Sequence, residues 1–144
     1  MIYAKGIQIT PHFNSSEFMC KCGCGMIDIS ERLVERLEIL RNILNTPIFI
    51  NSGYRCKQHD KNVGGTGYGA HTLGIAVDIH TIKYSAKEIS EYANFLNFGG
   101  IGLITDNDIH LDIRDENCYV NNFWHGDERT GRNINIKKLK LVKE

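Results

Sequence analysis

Leu33, Val34, Leu37, Leu40, Ile43 and Leu44 recur at three- and four-residue intervals. That spacing lays one apolar stripe along a helix. Asp28-Ile29-Ser30-Glu31 precedes the stripe, with Asp28 as the expected N-cap and Glu31 three residues on. Asn45-Thr46-Pro47 closes it, because Pro47 disfavours helical geometry in the residue ahead of it. Ile48-Phe49-Ile50 then reads as a short buried strand. Ser85-Ala86-Lys87-Glu88 has the form of a capping box and opens a second helix. Its inward face would be Ile89, Tyr92, Ala93 and Leu96, with Gly99-Gly100 at its end. Residues 76–79 read as a strand, and 101–104 and 109–113 as two more, joined by Thr105-Asp106-Asn107-Asp108. Helix, strand, glycine-rich loop, strand, helix and hairpin follow one another with few long crossovers. The pattern predicts an α+β domain, a small antiparallel sheet with helices packed mainly on one face.

Length changes this picture little: 144 residues make one domain with a single core. Within it we separate a cysteine-containing segment at 10–27, a core at 48–125 that carries the polar chemistry, and a C-terminal extension at 126–144. The formal charge of +0 gives no electrostatic reason to expect nucleic acid or an anionic membrane as partner. The basic end, KKLKLVKE, reads as a solvated edge strand or a frayed terminus. MIYAKGIQITPHF has no apolar signal-peptide core, and eighteen apolar residues never run together. The expectation is cytoplasmic synthesis with no membrane span and no signal peptide.

The chemistry is concentrated between Ser52 and His80, where three histidines, two aspartates, an arginine and six glycines fall in 29 residues. Alternation along 76–80 puts Ala76, Asp78 and His80 on one face and Val77 and Ile79 on the other. A carboxylate set among Ile75, Ala76, Val77 and Ile79 needs a cation, since unpaired it would cost several kcal/mol. The same alternation puts Asp108, His110 and Asp112 on one side of the later strand, and Ile109, Leu111 and Ile113 on the other. His71, Asp78 and His110 are therefore candidate ligands. Two imidazoles and a carboxylate, with a fourth position open, suit catalytic zinc.

These residues carry a resemblance. His71 with Asp78 seven residues on, and a single His on a later strand, resembles the zinc D-Ala-D-Ala carboxypeptidases and L-Ala-D-Glu endopeptidases of bacteria and phages. That family shares its fold with the amino-terminal domain of hedgehog proteins. The likeness extends over His12-Phe13-Asn14-Ser15-Ser16-Glu17-Phe18, Ser52-Gly53-Tyr54-Arg55, Val63-Gly64-Gly65, the run from His71 to Ile79, Gly100-Ile101-Gly102 and the run from His110 to Arg114. It implies a hedgehog-like fold, zinc on His71, Asp78 and His110, and hydrolysis of peptidoglycan stem peptides by a zinc-activated water and a carboxylate base. It further implies that Arg55, flanked by Ser52 and Tyr54 as substrate-binding residues, pairs with a substrate carboxylate. Residues 63–70 would form a rim along the peptide. The cell wall would be the place of action, in a phage, prophage or wall-remodelling setting. One departure stands out. Several relatives carry an acid three residues before the last zinc histidine, where this chain has Asn107. The base is then Asp108 or Asp112, with Asp106 a poorer choice in the turn. The alternative is a non-catalytic zinc domain that binds wall peptide or a protein partner.

Other residues attract attention without a motif. His59 has no motif role, His80 reads as an exposed strand-end residue, and His12 and His125 read as loop residues. Trp124, after Phe123, reads as core packing in preference to a cleft wall. Cys20, Cys22 and Cys24 alternate with single residues, too closely for neighbours to bridge easily. With Cys56 they could hold a structural metal, pair in disulfides or remain free thiols; the spacing is not that of CxxC zinc pairs.

Overall fold

The computed structural model describes residues 1–114, 124–137 and 139. Strands β1 (Gln8–Thr10) and β2 (Phe13–Asn14) form a small hairpin. Strands β3 (Phe49–Ser52), β4 (Ala76–His80), β5 (Gly100–Leu103), β6 (Ile109–Asp112), β7 (Trp124–Asp127) and β8 (Arg132–Asn133) make one sheet in the order β3-β4-β6-β5-β7-β8. Three helices accompany it: α1 (Glu31–Leu44), α2 (Lys57–Asn62) and α3 (Ala86–Phe95). The α+β expectation holds. One pair departs from the antiparallel pattern, because β7 lies beside β5 rather than its predecessor β6 and so runs parallel to it. The extension after residue 125 is thus partly sheet. Of its basic end, residues 138 and 140–144 lie outside the described residues.

Leu33, Val34, Leu37, Leu40 and Leu44 are buried in the core, but Ile43 is 41% exposed. Val34 and Ile43 sit on opposite flanks of the stripe, each roughly 80–100° from its centre, and the core covers only the Val34 side. The N-cap is Ser30, not Asp28: its hydroxyl accepts from the Leu33 amide at 3.4 Å. Asp28 instead meets the Met1 ammonium at 3.0 Å. Asn45, in left-handed geometry, ends the helix through its amide to the Arg41 carbonyl. Glu38, also buried, accepts from the His12 backbone amide and ring, so His12 ties the β1–β2 turn to α1. β3 is an edge strand, which leaves Phe49 42% exposed against the expectation of burial.

The capping box of α3 forms as expected between Ser85 and Glu88. Ile89 and Ala93 are buried and Tyr92 and Leu96 half-buried against the core. The helix ends at Leu96 and the left-handed Asn97, earlier than Gly99-Gly100, because Phe98 turns into the core and Gly100 already begins β5. Val77, Ile79, Ile101, Ile109, Leu111 and Ile113 form the sheet's apolar face and join α1 and α3 in one core. The opposite face is left to polar residues.

Candidate metal centre

Strand register lays out the polar face in rows. Ser52 lies opposite Asp78, Asp78 opposite His110, His110 opposite Gly102, and Gly102 opposite Gly126. The neighbouring row runs Ala76, Asp112, Gly100, Trp124. Directly opposed residues project to the same side, so this side presents two carboxylates and an imidazole beside a glycine floor. His71 comes from outside the sheet, on a 3-10 turn (Ala70–Leu73) that leads into β4.

The three candidate ligands converge on one point. Asp78 Oδ1 is 3.3 Å from His71 Nε2 and 3.1 Å from His110 Nδ1, and the two rings lie 5.2 Å apart edge to face. Each ring's other nitrogen is already committed. His71 Nδ1 donates to the Gly53 carbonyl at 2.8 Å, and His110 Nε2 to Asp112 at 2.7 Å. These bonds fix the tautomers and turn the free lone pairs inward. Two imidazole lone pairs and a carboxylate oxygen facing one another repel unless a cation stands between them. Either a ring proton or a metal ion must fill that place, and the donor set suits zinc.

Metal-free, the charge balance falls to His110. Burial pushes its pKa down, but Asp112 and Asp78 outweigh that and hold it at about 9. Asp78 feels the converse: burial opposes its charge, yet bonds from His110 and His71 keep its carboxyl well below the usual range. Asp112 is fully buried and likewise held low, since bonds from His110 and Arg114 outweigh its burial. Its Oδ1 accepts from the Arg114 amide and Nε, and its Oδ2 from His110 and Arg114 Nη2. That packing leaves it no room to move.

Arg55 sits behind Asp78. Its Nη2 reaches Asp78 Oδ2 at 3.2 Å, its Nη1 Asp60 at 2.9 Å and its Nε the Ser52 hydroxyl at 3.1 Å. The far oxygen of Asp78 is thereby held, leaving Oδ1 for the histidines. Asp60 is 3% exposed and also accepts from the Gly67 amide, which draws the glycine loop around it. Tyr54 turns elsewhere. Its ring is buried, and its hydroxyl pKa is raised by burial and then by Asp28 and Cys56, Cys20 and Cys24. The charges around its hydroxyl are thus those of the cysteines and not of the histidines, because β3 ends at Ser52 and strict alternation ends with it.

Asp108 shares the face but stands one pleat from the convergence point, bonded to Thr105 and Asn51. With Asp78, His80, Asn51, Ile104 and Asn107 it lines an open cleft of about 560 Å³. His80 caps that cleft at the strand end, bonded to Asn51 and stacked on Phe49. Asp106 is bound to Arg129 at the surface.

β7 and the residue after it bring three side chains that sequence reasoning misplaced or missed. Trp124 is not core. Its ring lies on the polar side over Gly102 and Gly126: a Cβ at Gly102 would come within 2.7 Å of it. His125 belongs to this strand too, not to a loop. Glu128 follows directly, its Cγ only 3.2 Å from where a Gly102 Cβ would be. Burial raises its pKa, and its charge is felt by His110, Asp78, His71 and Arg55. The available signal was the Gly100-x-Gly102 spacing opposite Asp112 and His110, which implies large side chains lying across the floor.

Two imidazoles and one carboxylate beside an open cleft, with both rings braced from behind, could hold a metal ion and leave a coordination position open, unlike the closed four-ligand arrangement of structural zinc. The sequence profile described as Peptidase M15 matches residues 11–112. The chain belongs to the Peptidase M15 family, whose members are zinc-dependent peptidases. The match includes His71, Asp78, His110 and Asp112 and stops short of β7. No curated protein matches the chain. Among the described residues, no helix is long and apolar enough to cross a membrane.

Proposed function

We propose that this chain hydrolyses peptide bonds of the peptidoglycan stem, as a D-Ala-D-Ala carboxypeptidase or an L-Ala-D-Glu endopeptidase. The carrying observation is the convergence of His71, Asp78 and His110 beside an open cleft in a chain of a zinc peptidase family. These three residues would hold the zinc, which when bound lowers the pKa of water to about 7 and polarises a carbonyl. The chain's own residues do the rest. The Gly53 carbonyl and Asp112 keep the rings aimed, and Arg55 steadies Asp78. Three of Arg55's five N–H groups are used in these contacts. The remaining two can bind the carboxylate of a stem peptide.

Glu128 is the base in this reading. It is the carboxylate over the floor that carries no bond to Arg or His, and its raised pKa suits a group that accepts a proton and returns it to the leaving amine. Asp112 positions His110, since all its acceptor sites are taken, and Asp108 lines the substrate cleft. Trp124 walls the opposite side. The substrate class places action at the cell wall, as in phage lysis or wall remodelling.

Asn107, standing where relatives have an acid, favours a second reading: a zinc domain that binds wall peptide without cutting it. Release of free amino groups from purified peptidoglycan, with and without chelator, separates the two. Zinc-dependent release supports hydrolysis. Binding to peptidoglycan by zinc-loaded protein with no release would establish the second reading.

A further inference from the structure

Four thiols gather on the far side of Arg55. Cys20, Cys22, Cys24 and Cys56 bring their sulfurs within 4.8 Å of one another. The Cys20–Cys22 separation is 3.5 Å and the Cys22–Cys56 separation 3.7 Å. A tetrahedral zinc with Zn–S bonds of about 2.3 Å sets neighbouring sulfurs about 3.8 Å apart. We propose that these four cysteines form a second, structural zinc site, independent of the histidine centre.

The backbone is shaped for it. Gly23 and Gly25 take φ of 90° and 76°, so the chain doubles back twice and three alternate cysteines point inward. Amide donors aim at the sulfurs: Cys56 N–H reaches Cys20 Sγ at 3.4 Å, and His59 N–H reaches Cys56 Sγ at 3.4 Å as the cap of α2. Such donors stabilise thiolates. One disulfide would leave two thiols over, and two of the three ways to pair all four join cysteines two residues apart, whereas a tetrahedral ion uses all four. Binding releases the thiol protons to solvent and leaves a dianionic centre, with Lys21 and Lys57 adjacent in sequence.

The site joins two segments distant in sequence. The Tyr54 amide donates to the Phe18 carbonyl at 3.0 Å, and Gly53 lies so close that a Cβ would meet Phe18 Cα at 2.7 Å. An ion here would staple residues 18–26 to the stretch that carries Gly53 and Arg55, fixing from behind two groups that brace His71 and Asp78. The fifth cysteine, Cys118, lies outside the described residues.

The test is metal content in protein purified under reducing conditions. Wild type should hold two zinc ions per chain, and His71→Ala one. Cobalt loaded into His71→Ala should give the intense thiolate-to-cobalt charge-transfer bands of a tetrahedral sulfur site, and Cys22→Ser should remove them. If Cys22→Ser fails to fold, the count and spectrum of His71→Ala decide alone. A His71→Ala protein that folds without metal and shows four freely reactive thiols would overturn the proposal. So would disulfides among these cysteines in the freshly purified chain.

Discussion

Asp112→Asn separates a positioning residue from a base. The aspartate supplies acceptors only, and every neighbour presents a donor: His110 Nε2 at 2.7 Å, Arg114 Nη2 at 2.7 Å, Arg114 Nε at 2.9 Å and the Arg114 amide at 3.0 Å. Asparagine would put an N–H group where only donors point. At least two charge-assisted bonds are lost whichever way the amide turns, each costing about 1.5–3 kcal/mol in stability. If the amide turns its nitrogen toward His110, the ring loses its brace and its tautomer is no longer fixed. Removing such a partner costs about 10–100-fold in metal affinity, or about 1.4–2.7 kcal/mol. The assay is chelator competition for the zinc that His71→Ala abolishes, with thermal melts of both proteins in excess zinc. Asp112→Asn should lose affinity by that factor and melt lower, while Asp108→Asn should change neither. An Asp112→Asn protein with wild-type zinc affinity and abolished turnover would refute this reasoning and make Asp112 the base.

Glu128→Gln should retain both fold and zinc while lowering kcat by about 10²–10⁴-fold, measured by turnover on stem peptide together with metal content. Gly102→Ala should displace the Trp124 ring, costing about 1–3 kcal/mol in denaturant unfolding. Because the chain has one tryptophan, its emission should shift in step. Metal-free protein should be steadied by protonated His110: the contribution is complete below about 6.5 and disappears as pH rises through about 9, since the folded pKa is the higher one. Melting temperature of chelated protein against pH, compared with His110→Gln, reads this directly, and a decline equally present in the variant would count against it.

Much of the fold was legible because it rests on local periodicity. The α1 stripe, the α3 capping box and the alternation around Asp78 and His110 each depend on residues a few positions apart. Asp78 and His110 could be placed on one face because burial of Val77, Ile79, Ile109 and Leu111 sets the strand phase. What escaped was set by distant partners. Ser30 displaced Asp28 as cap because the Met1 ammonium claims Asp28. Trp124 looked like core because its parallel pairing with β5, which turns it over the glycine floor, leaves no local signal. Glu128 was invisible for the same reason. Asp112 and Asp108 looked equivalent by alternation, and only Arg114 packing across Asp112 distinguishes them. The cysteines had no standard spacing, and only the three-dimensional approach of Cys56 brings their four sulfurs together.

The most direct test is anomalous diffraction at the zinc edge from crystals grown with zinc. The account predicts a peak bounded by His71 Nε2, Asp78 Oδ1 and His110 Nδ1, with Asp112 still bonded to His110 Nε2. Zinc absent from that point, or bound through His110 Nε2 with Asp112 displaced, would contradict it.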